Sequence, residues 1–285
     1  MATLNKDDEV IIPAPYWVSY PDIVLLAGAH PIVIECSEDQ GFKLTAKDLE
    51  SVITNNTKWL ILNSPSNPTG ACYSEQEIKN LAMVLKRNPH VNILSDDIYE
   101  HVVYEDFKFF TMAQIPELKN KVVTMNGVSK SYAMTGWRIG YILSANREAM
   151  AQMIKIQYYI TACSNDAMQY AVLEAMNEAA DYPDVIAKEF KERCDLIVER
   201  LNSMPGVQCH KPKGAIYVFP KIQVKGFNSE ELALEILKDG VLCSPGSAIG
   251  PSGELHLRFA YTISKDEISK GMDKLQYTLD RLNRK

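Results

Sequence analysis

Short apolar runs alternate, through the first half of the chain, with segments whose apolar residues recur at helical spacing. Val10 to Ile12, Pro31 to Ile34, Trp59 to Leu62, Val91 to Leu94, Val122 to Met125 and Ile139 to Leu143 are of strand length and rich in β-branched residues. Runs of this kind predict β-strands. Between them, Thr45-Ala46-Lys47-Asp48 sets a hydroxyl ahead of an acid at the third helical position. Ser74-Glu75-Gln76-Glu77 is a capping box followed by Ile78, Leu81, Ala82 and Leu85 on one face. Strands alternating with helices predict an α/β unit with a mostly parallel sheet covered on both sides.

Beyond about residue 145 the texture changes. Long helices are predicted over 147–162, 167–180 and 183–204, then strands over 207–209, 215–219 and 255–260, a helix over 229–238, and a last helix opening at Ser264-Lys265-Asp266-Glu267. This reads as a large α/β domain over residues 1–182 and a smaller α+β domain over 183–285, divided at Tyr182-Pro183. Met1 to Asn5 reads as the last turn of a helix already under way, and no glycine-rich phosphate-binding turn precedes the first strand.

Composition narrows the class. With 46% hydrophobic and 23% charged residues over 285 positions, the chain is globular and long enough for a sizeable core. Thirty basic against thirty-six acidic residues give a net charge of −6, which argues against nucleic acid or an anionic membrane as partner. The apolar stretch from Ile23 to Ile34 is broken by Gly28, His30 and Pro31, so no membrane span is expected. The N-terminus lacks a signal-peptide layout. Cysteines 36, 72, 163, 194, 209 and 243 form no Cys-x-x-Cys pair and read as reduced thiols of a cytoplasmic protein. Histidines 30, 90, 101, 210 and 256 have no ligand spacing, so no metal is expected, and the Asn55-Asn56-Thr57 sequon carries no meaning there.

Five segments carry chemistry. Ser129-Lys130-Ser131-Tyr132-Ala133-Met134-Thr135-Gly136-Trp137-Arg138 follows a strand and is too irregular for a plain helix. A lysine must lose its proton to attack a carbonyl, and a second cation such as Arg138 favours that loss. Ser95-Asp96-Asp97-Ile98-Tyr99 lies at the C-terminal end of a buried strand, where α/β folds place their ligands. Asn63-Ser64-Pro65-Ser66-Asn67-Pro68-Thr69-Gly70 is a rigid turn past another strand. Pro13-Ala14-Pro15-Tyr16-Trp17 sets an indole after the first strand, where core packing is the default for Trp. Arg258 stands inside the apolar strand Leu255 to Ala260 and must meet an anion there, from the protein or from a ligand.

In order and spacing, over essentially the whole chain, these segments resemble the fold-type-I, pyridoxal-phosphate-dependent aminotransferases of class I and II, and among them the aspartate and prephenate aminotransferase group. The resemblance rests on Asn67-Pro68-Thr69-Gly70, then Asp96-x-x-Tyr99, then Ser129-Lys130 with Arg138 eight residues after the lysine, then Arg258 in a late strand. It implies a pyridoxal 5'-phosphate cofactor bonded to Lys130, with Asp96 at the pyridine nitrogen and Tyr99 and Asn67 at the ring hydroxyl. It further implies Trp17 against the ring, Arg138 and Ser129 at the phosphate, and Arg258 at the substrate α-carboxylate, with Trp17 and Asn67 also facing substrate.

The activity so implied moves an amino group between L-aspartate or glutamate and a 2-oxo acid such as 2-oxoglutarate, with prephenate as a further acceptor. Alternatives are another fold-type-I enzyme, such as an aromatic aminotransferase or a carbon-sulfur lyase, or a non-catalytic effector-binding homologue. The resemblance also implies a homodimer with Ser164-Asn165 facing the partner's site. Two departures stand out. The family carries roughly a hundred residues ahead of the point matching Met1, so a truncated chain with weak cofactor binding and negligible activity is expected. Gly127 also stands where some relatives have serine.

Overall fold

The computed structural model describes residues 1–105 and 107–284. Its larger sheet has six strands: β1 (Glu9–Ala14), β2 (His30–Glu35), β3 (Thr57–Asn63), β4 (Asn92–Asp96), β5 (Val122–Gly127) and β6 (Gly140–Leu143). They lie in the order β2-β1-β3-β4-β5-β6, all parallel except β6, which runs antiparallel to β5 at the edge. The register explains the apolar runs. Ile32, Ile11, Leu60, Ile93 and Val122 are paired neighbours across five strands and face one core. The alternate residues Val10, Ile12, Trp59, Ile61 and Val123 face a second core on the other side. Period-two alternation in a sheet buried on both faces leaves no polar position in the run.

Helices α1 (Ser19–Leu26), α2 (Ala46–Val52) and α3 (Glu75–Arg87) connect these strands. The two caps read from sequence are present: Thr45 accepts from the Asp48 N–H, and Ser74 and Glu77 close a reciprocal box. Helix α1 escapes a pattern search because it has no polar face; Ile23, Leu25 and Leu26 are exposed while Tyr20 and Val24 pack inward. The helical turn expected over Met1 to Asn5 is not there. Asn5 and Asp8 instead close a turn, Asn5 N–H to Asp8 Oδ2 at 2.7 Å, and Thr3 accepts the Trp59 indole N–H at 3.1 Å. An aspartate that caps the backbone three residues back holds a turn rather than continuing a helix.

After β5 come α4 (Val128–Ser131) and, past β6, α5 (Arg147–Thr161), α6 (Asp166–Glu178) and α7 (Tyr182–Asn202). The second region adds β7 (Val207–Gln208), β8 (Tyr217–Val218), β9 (Lys221–Ile222), α8 (Ser229–Lys238), β10 (Ser244–Pro245), β11 (Leu257–Ala260) and α9 (Lys265–Asn283). The strands read over 215–219 and 255–260 shorten to two and four residues, and the small sheet runs β10-β11-β8. Its core draws on α7, α8 and α9, and it also takes in Tyr99, Val102 and Tyr104 from just beyond β4.

The two regions meet along residues 213–217. Tyr104 N–H donates to Lys213 O at 2.9 Å, Ala215 N–H to Val102 O at 2.9 Å, and Lys213 N–H to Gly70 O at 3.1 Å. Gly70 and Gly214 permit this approach. A Cβ on Gly70, whose φ is +66°, would fall 2.3 Å from Pro212 Cβ and 2.7 Å from Gly214 O, and one on Gly214 would fall 2.7 Å from Val102 O. Among the described residues, no helix is long and apolar enough to cross a membrane.

Candidate active site

Strands β1, β3, β4 and β5 end on one side of the sheet, and the chain just past each end supplies one part of the site. In this strand order β1 sends its connection outward to β2 while β3 lies on its other side, so a crevice opens at the carboxyl ends of β1 and β3. Asn63 ends β3 opposite Asp96, the last residue of β4. Its side chain ties the two turns together, donating to Asp96 O at 2.9 Å and accepting the Asn67 N–H at 2.8 Å.

Asp96 is the buried anion of the site. Its Oδ2 accepts the Tyr20 hydroxyl at 2.5 Å, and its Oδ1 accepts the Ile98 N–H at 3.3 Å. Burial pushes this carboxyl above the ordinary carboxylate range, opposed by the Tyr20 hydroxyl and the Ile98 N–H. A cation brought against Oδ1 or Oδ2 would reverse that shift. Tyr20 was not foreseen. It sits in the first turn of α1, three residues after Trp17, and burial followed by the Asp96 charge holds its hydroxyl protonated, well above the usual phenol range. Trp17 is not a core residue: it is 38% exposed and meets the Tyr20 ring edge to face at 5.4 Å.

The last residue of β5, Gly127, leads into α4, which holds Ser129 and Lys130. A Cβ at position 127 would lie 2.9 Å from Ile139 O and 3.0 Å from Gly140 Cα, so the close pairing of β5 with β6 explains why glycine and not serine stands there. Lys130 Nζ lies 6.0 Å from the centre of the Tyr99 ring. Arg138 is exposed, with a left-handed backbone at φ +57°, and its guanidinium donates to Thr135 O at 2.7 Å. Ser164 also faces the cavity, while Asn165 caps α6 by accepting the Met168 N–H.

From the second region come Tyr217 on β8 and Arg258 on β11. Arg258 pairs across the strands with Ser244, to whose Oγ its Nη2 donates at 2.9 Å, and its Nη1 donates to Asn67 Oδ1 at 3.0 Å. A guanidinium has five N–H donors, so those two bonds leave the others for a ligand carboxylate.

One cavity of about 780 Å³ gathers these parts. Trp17, Asn67, Asp96, Tyr99, Ser129, Lys130 and Arg138 line it, and Tyr20 and Tyr217 join them. Arg258 adjoins it through Asn67 and Tyr217. The volume lies within the roughly 300–1,000 Å³ of small-molecule sites. The chemistry of the lining fits a flat, cationic, phosphorylated ring: a buried carboxylate, an indole, an amine, a guanidinium and a hydroxyl converge. Tyr20, Tyr217, Asn63 and Ser244 are the residues that sequence reasoning missed.

Comparison with known proteins points the same way. The chain is 44% identical to a probable aspartate/prephenate aminotransferase of Rickettsia conorii, over 98% of its own length and 72% of the relative's. It is 42% identical to an aspartate aminotransferase of Rhizobium meliloti, over 99% of this chain and 71% of that one. The crystal structure of the Rhizobium meliloti enzyme superposes with a TM-score of 0.92 at 40% identity, covering 99% of this chain and 72% of that one. An aromatic aminotransferase from Pyrococcus horikoshii superposes at 0.93 with 34% identity, covering 98% and 75%. With the family profile for aminotransferase class I and II matching residues 1–275 as well, the chain belongs to the class I and II aminotransferases.

Proposed function

We propose that the cavity binds pyridoxal 5'-phosphate and moves an amino group between L-aspartate or L-glutamate and a 2-oxo acid such as 2-oxoglutarate, with prephenate as a further acceptor. The observation that carries this is the convergence of Asp96, Tyr99 and Lys130 on one cavity that Arg258 adjoins. The names of the relatives, aspartate/prephenate and aspartate aminotransferase, favour the dicarboxylate substrates. The aromatic aminotransferase among the structural neighbours supports aromatic amino acids as a second substrate class.

When bound, the cofactor supplies an electron sink for the bond broken at the amino acid's Cα. Asp96 would hold a proton on the pyridine nitrogen, and the buried site strengthens that charge pair. Tyr99 and Asn67 would hold the ring hydroxyl, Trp17 the ring face, and Ser129 with Arg138 the phosphate. Lys130 would hold the cofactor through Nζ and, once freed, take the proton from the substrate Cα. Arg258 would grip the α-carboxylate with a planar fork and so fix which Cα bond faces Lys130.

The division into 1–182 and 183–285, a cytoplasmic location and a homodimer belong to the same proposal. The change of sheet after β6 supports the first, and the second rests on the sequence alone. The dimer is supported by exposed apolar side chains on successive helices outside the cavity lining, Tyr159 and Ile160 on α5 and Tyr170 and Leu173 on α6. Sedimentation should give twice the chain mass.

Borohydride treatment in the presence of pyridoxal phosphate, followed by peptide mapping, tests the site. The label is expected on Lys130, and a label on another lysine would defeat the assignment. Initial rates with aspartate, phenylalanine and cystathionine separate the substrate classes, and preference for cystathionine would replace transamination by carbon-sulfur cleavage.

A further inference from the structure

Tyr217 stands where two parts of the proposed site meet. It lies on β8, opposite Ala260 of β11, and is 9% exposed. The guanidinium carbon of Arg258 is 4.8 Å from the centre of its ring. Its hydroxyl accepts the Tyr99 hydroxyl at 3.2 Å, and the two rings meet edge to face at 6.1 Å and 81°. One side chain therefore carries the arginine on its face and the phenol on its end.

We propose that Tyr217 is a positioning residue, setting Arg258 with its ring and Tyr99 with its hydroxyl, so that the carboxylate clamp and the phenol beside Lys130 are aligned by a single side chain. This rests on reading Arg258 as carboxylate-binding and Tyr99 as cofactor-binding. Asn67 and Ser244 fix the directions of Nη1 and Nη2, but two bonds at the tip still let the guanidinium swing about the line joining them. The ring of Tyr217 against its face restricts that swing, and a cation on an aromatic face is attracted there. At the other end, Tyr99 is 3% exposed, and its hydroxyl keeps a fixed direction only while the Tyr217 oxygen accepts from it. An ordinary core tyrosine would have its hydroxyl paired away from the site; this one has it paired with a site residue.

The test compares the 285-residue chain with its Tyr217→Phe and Tyr217→Leu variants. Cofactor affinity is followed by absorbance titration with pyridoxal phosphate, substrate by steady-state kinetics with aspartate at saturating cofactor, and folding by thermal melts. Tyr217→Phe keeps the ring and loses the acceptor: cofactor dissociation should rise about five- to tenfold, with KM for aspartate within twofold. Tyr217→Leu loses both, and KM should rise about tenfold more, with kcat changing less than KM. In a Tyr99→Phe background, Tyr217→Phe should add nothing to the cofactor constant.

Cofactor constants that are equal in wild type and Tyr217→Phe, or effects that add in the Tyr99→Phe background, would overturn the proposal and leave the functional reading standing. So would a Tyr217→Leu variant in which kcat falls as much as KM rises, in step with a lowered melting temperature. A wild-type chain that takes no pyridoxal phosphate at millimolar concentration would overturn the functional reading, and the role of Tyr217 with it.

Discussion

The hydroxyl of Tyr20 donates to Oδ2 of Asp96 across 2.5 Å, with both side chains buried. A donor to an ionised carboxylate holds it ionised, and in the proposed role Asp96 would serve a cationic ring only in that form. Tyr20→Phe should lower kcat/KM about tenfold or more and move the acid limb of its pH profile upward, because Asp96 then binds a proton more readily. A profile unchanged in shape would remove Tyr20 from the site.

Arg138 and Lys130 are the cations lining the cavity among the described residues. In the proposed site a phosphate dianion would be held by one guanidinium and the Ser129 hydroxyl, a light hold, so dialysis should strip much of any bound pyridoxal phosphate from the chain. Arg138→Ala should weaken pyridoxal phosphate about tenfold or more while leaving pyridoxal, which lacks the phosphate, within twofold. Equal losses for both ligands would move Arg138 away from the phosphate.

Asp97, next to Asp96 but turned away into the core, accepts hydroxyls from Ser95 and Thr111. Burial pushes its carboxyl up to about 6, against the pull of those two hydroxyls. The folded pKa is raised, so the stability tied to the protonated form is complete below about pH 4, the unfolded value, and is lost as pH rises through about 6. Asp97→Asn, uncharged throughout, should gain on wild type as pH rises, up to roughly 3 kcal/mol at pH 8. Urea unfolding at pH 4 and pH 8 reads this directly; a difference that stays constant between them would contradict it.

Gly70 has φ +66° and no room for a methyl group against Pro212 and Gly214. Gly70→Ala therefore combines backbone strain with a clash at the contact between the two regions. We expect a loss of about 1–3 kcal/mol or more, seen as a lowered melting temperature. Gly136→Ala is the control, since nothing lies within 4 Å of a Cβ there.

Legibility in the sequence followed the range of the interaction that sets each feature. Strands β1, β3, β4 and β5 were readable because burial on both faces leaves runs such as Trp59 to Leu62 unbroken, the edge strand β2 because its run is rich in β-branched residues although Val33 is exposed, and the caps at Thr45 and Ser74 because a cap is a bond over three residues. Helix α1 lacks the periodicity that a one-sided helix shows, and the Asn5–Asp8 turn looks like any short polar stretch. The site divides the same way. Asp96, Lys130, Asn67 and Arg258 sit in compact motifs whose spacing is informative. Tyr20 and Tyr217 owe their places to partners 76 and 118 residues away. Nothing adjacent marks them, and a tyrosine in an apolar run such as Ala215 to Phe219 reads as core. Gly70 was legible as a turn residue, but not as the point where residue 212 must pass.

Tyr99, Val102 and Tyr104 belong by chain position to the sheet-bearing region, yet they are packed into the core of the other. The two regions are therefore not interchangeable parts. A graft that replaced residues 183–285 by the corresponding piece of a relative would have to bring a surface matched to these three side chains. A protease cut at the foot of α7 would leave either fragment with a hole or an uncovered aromatic cluster. Substrate preference in such a chain is best altered by single replacements around the cavity, because exchanging whole segments dismantles the packing that keeps Tyr99 in place.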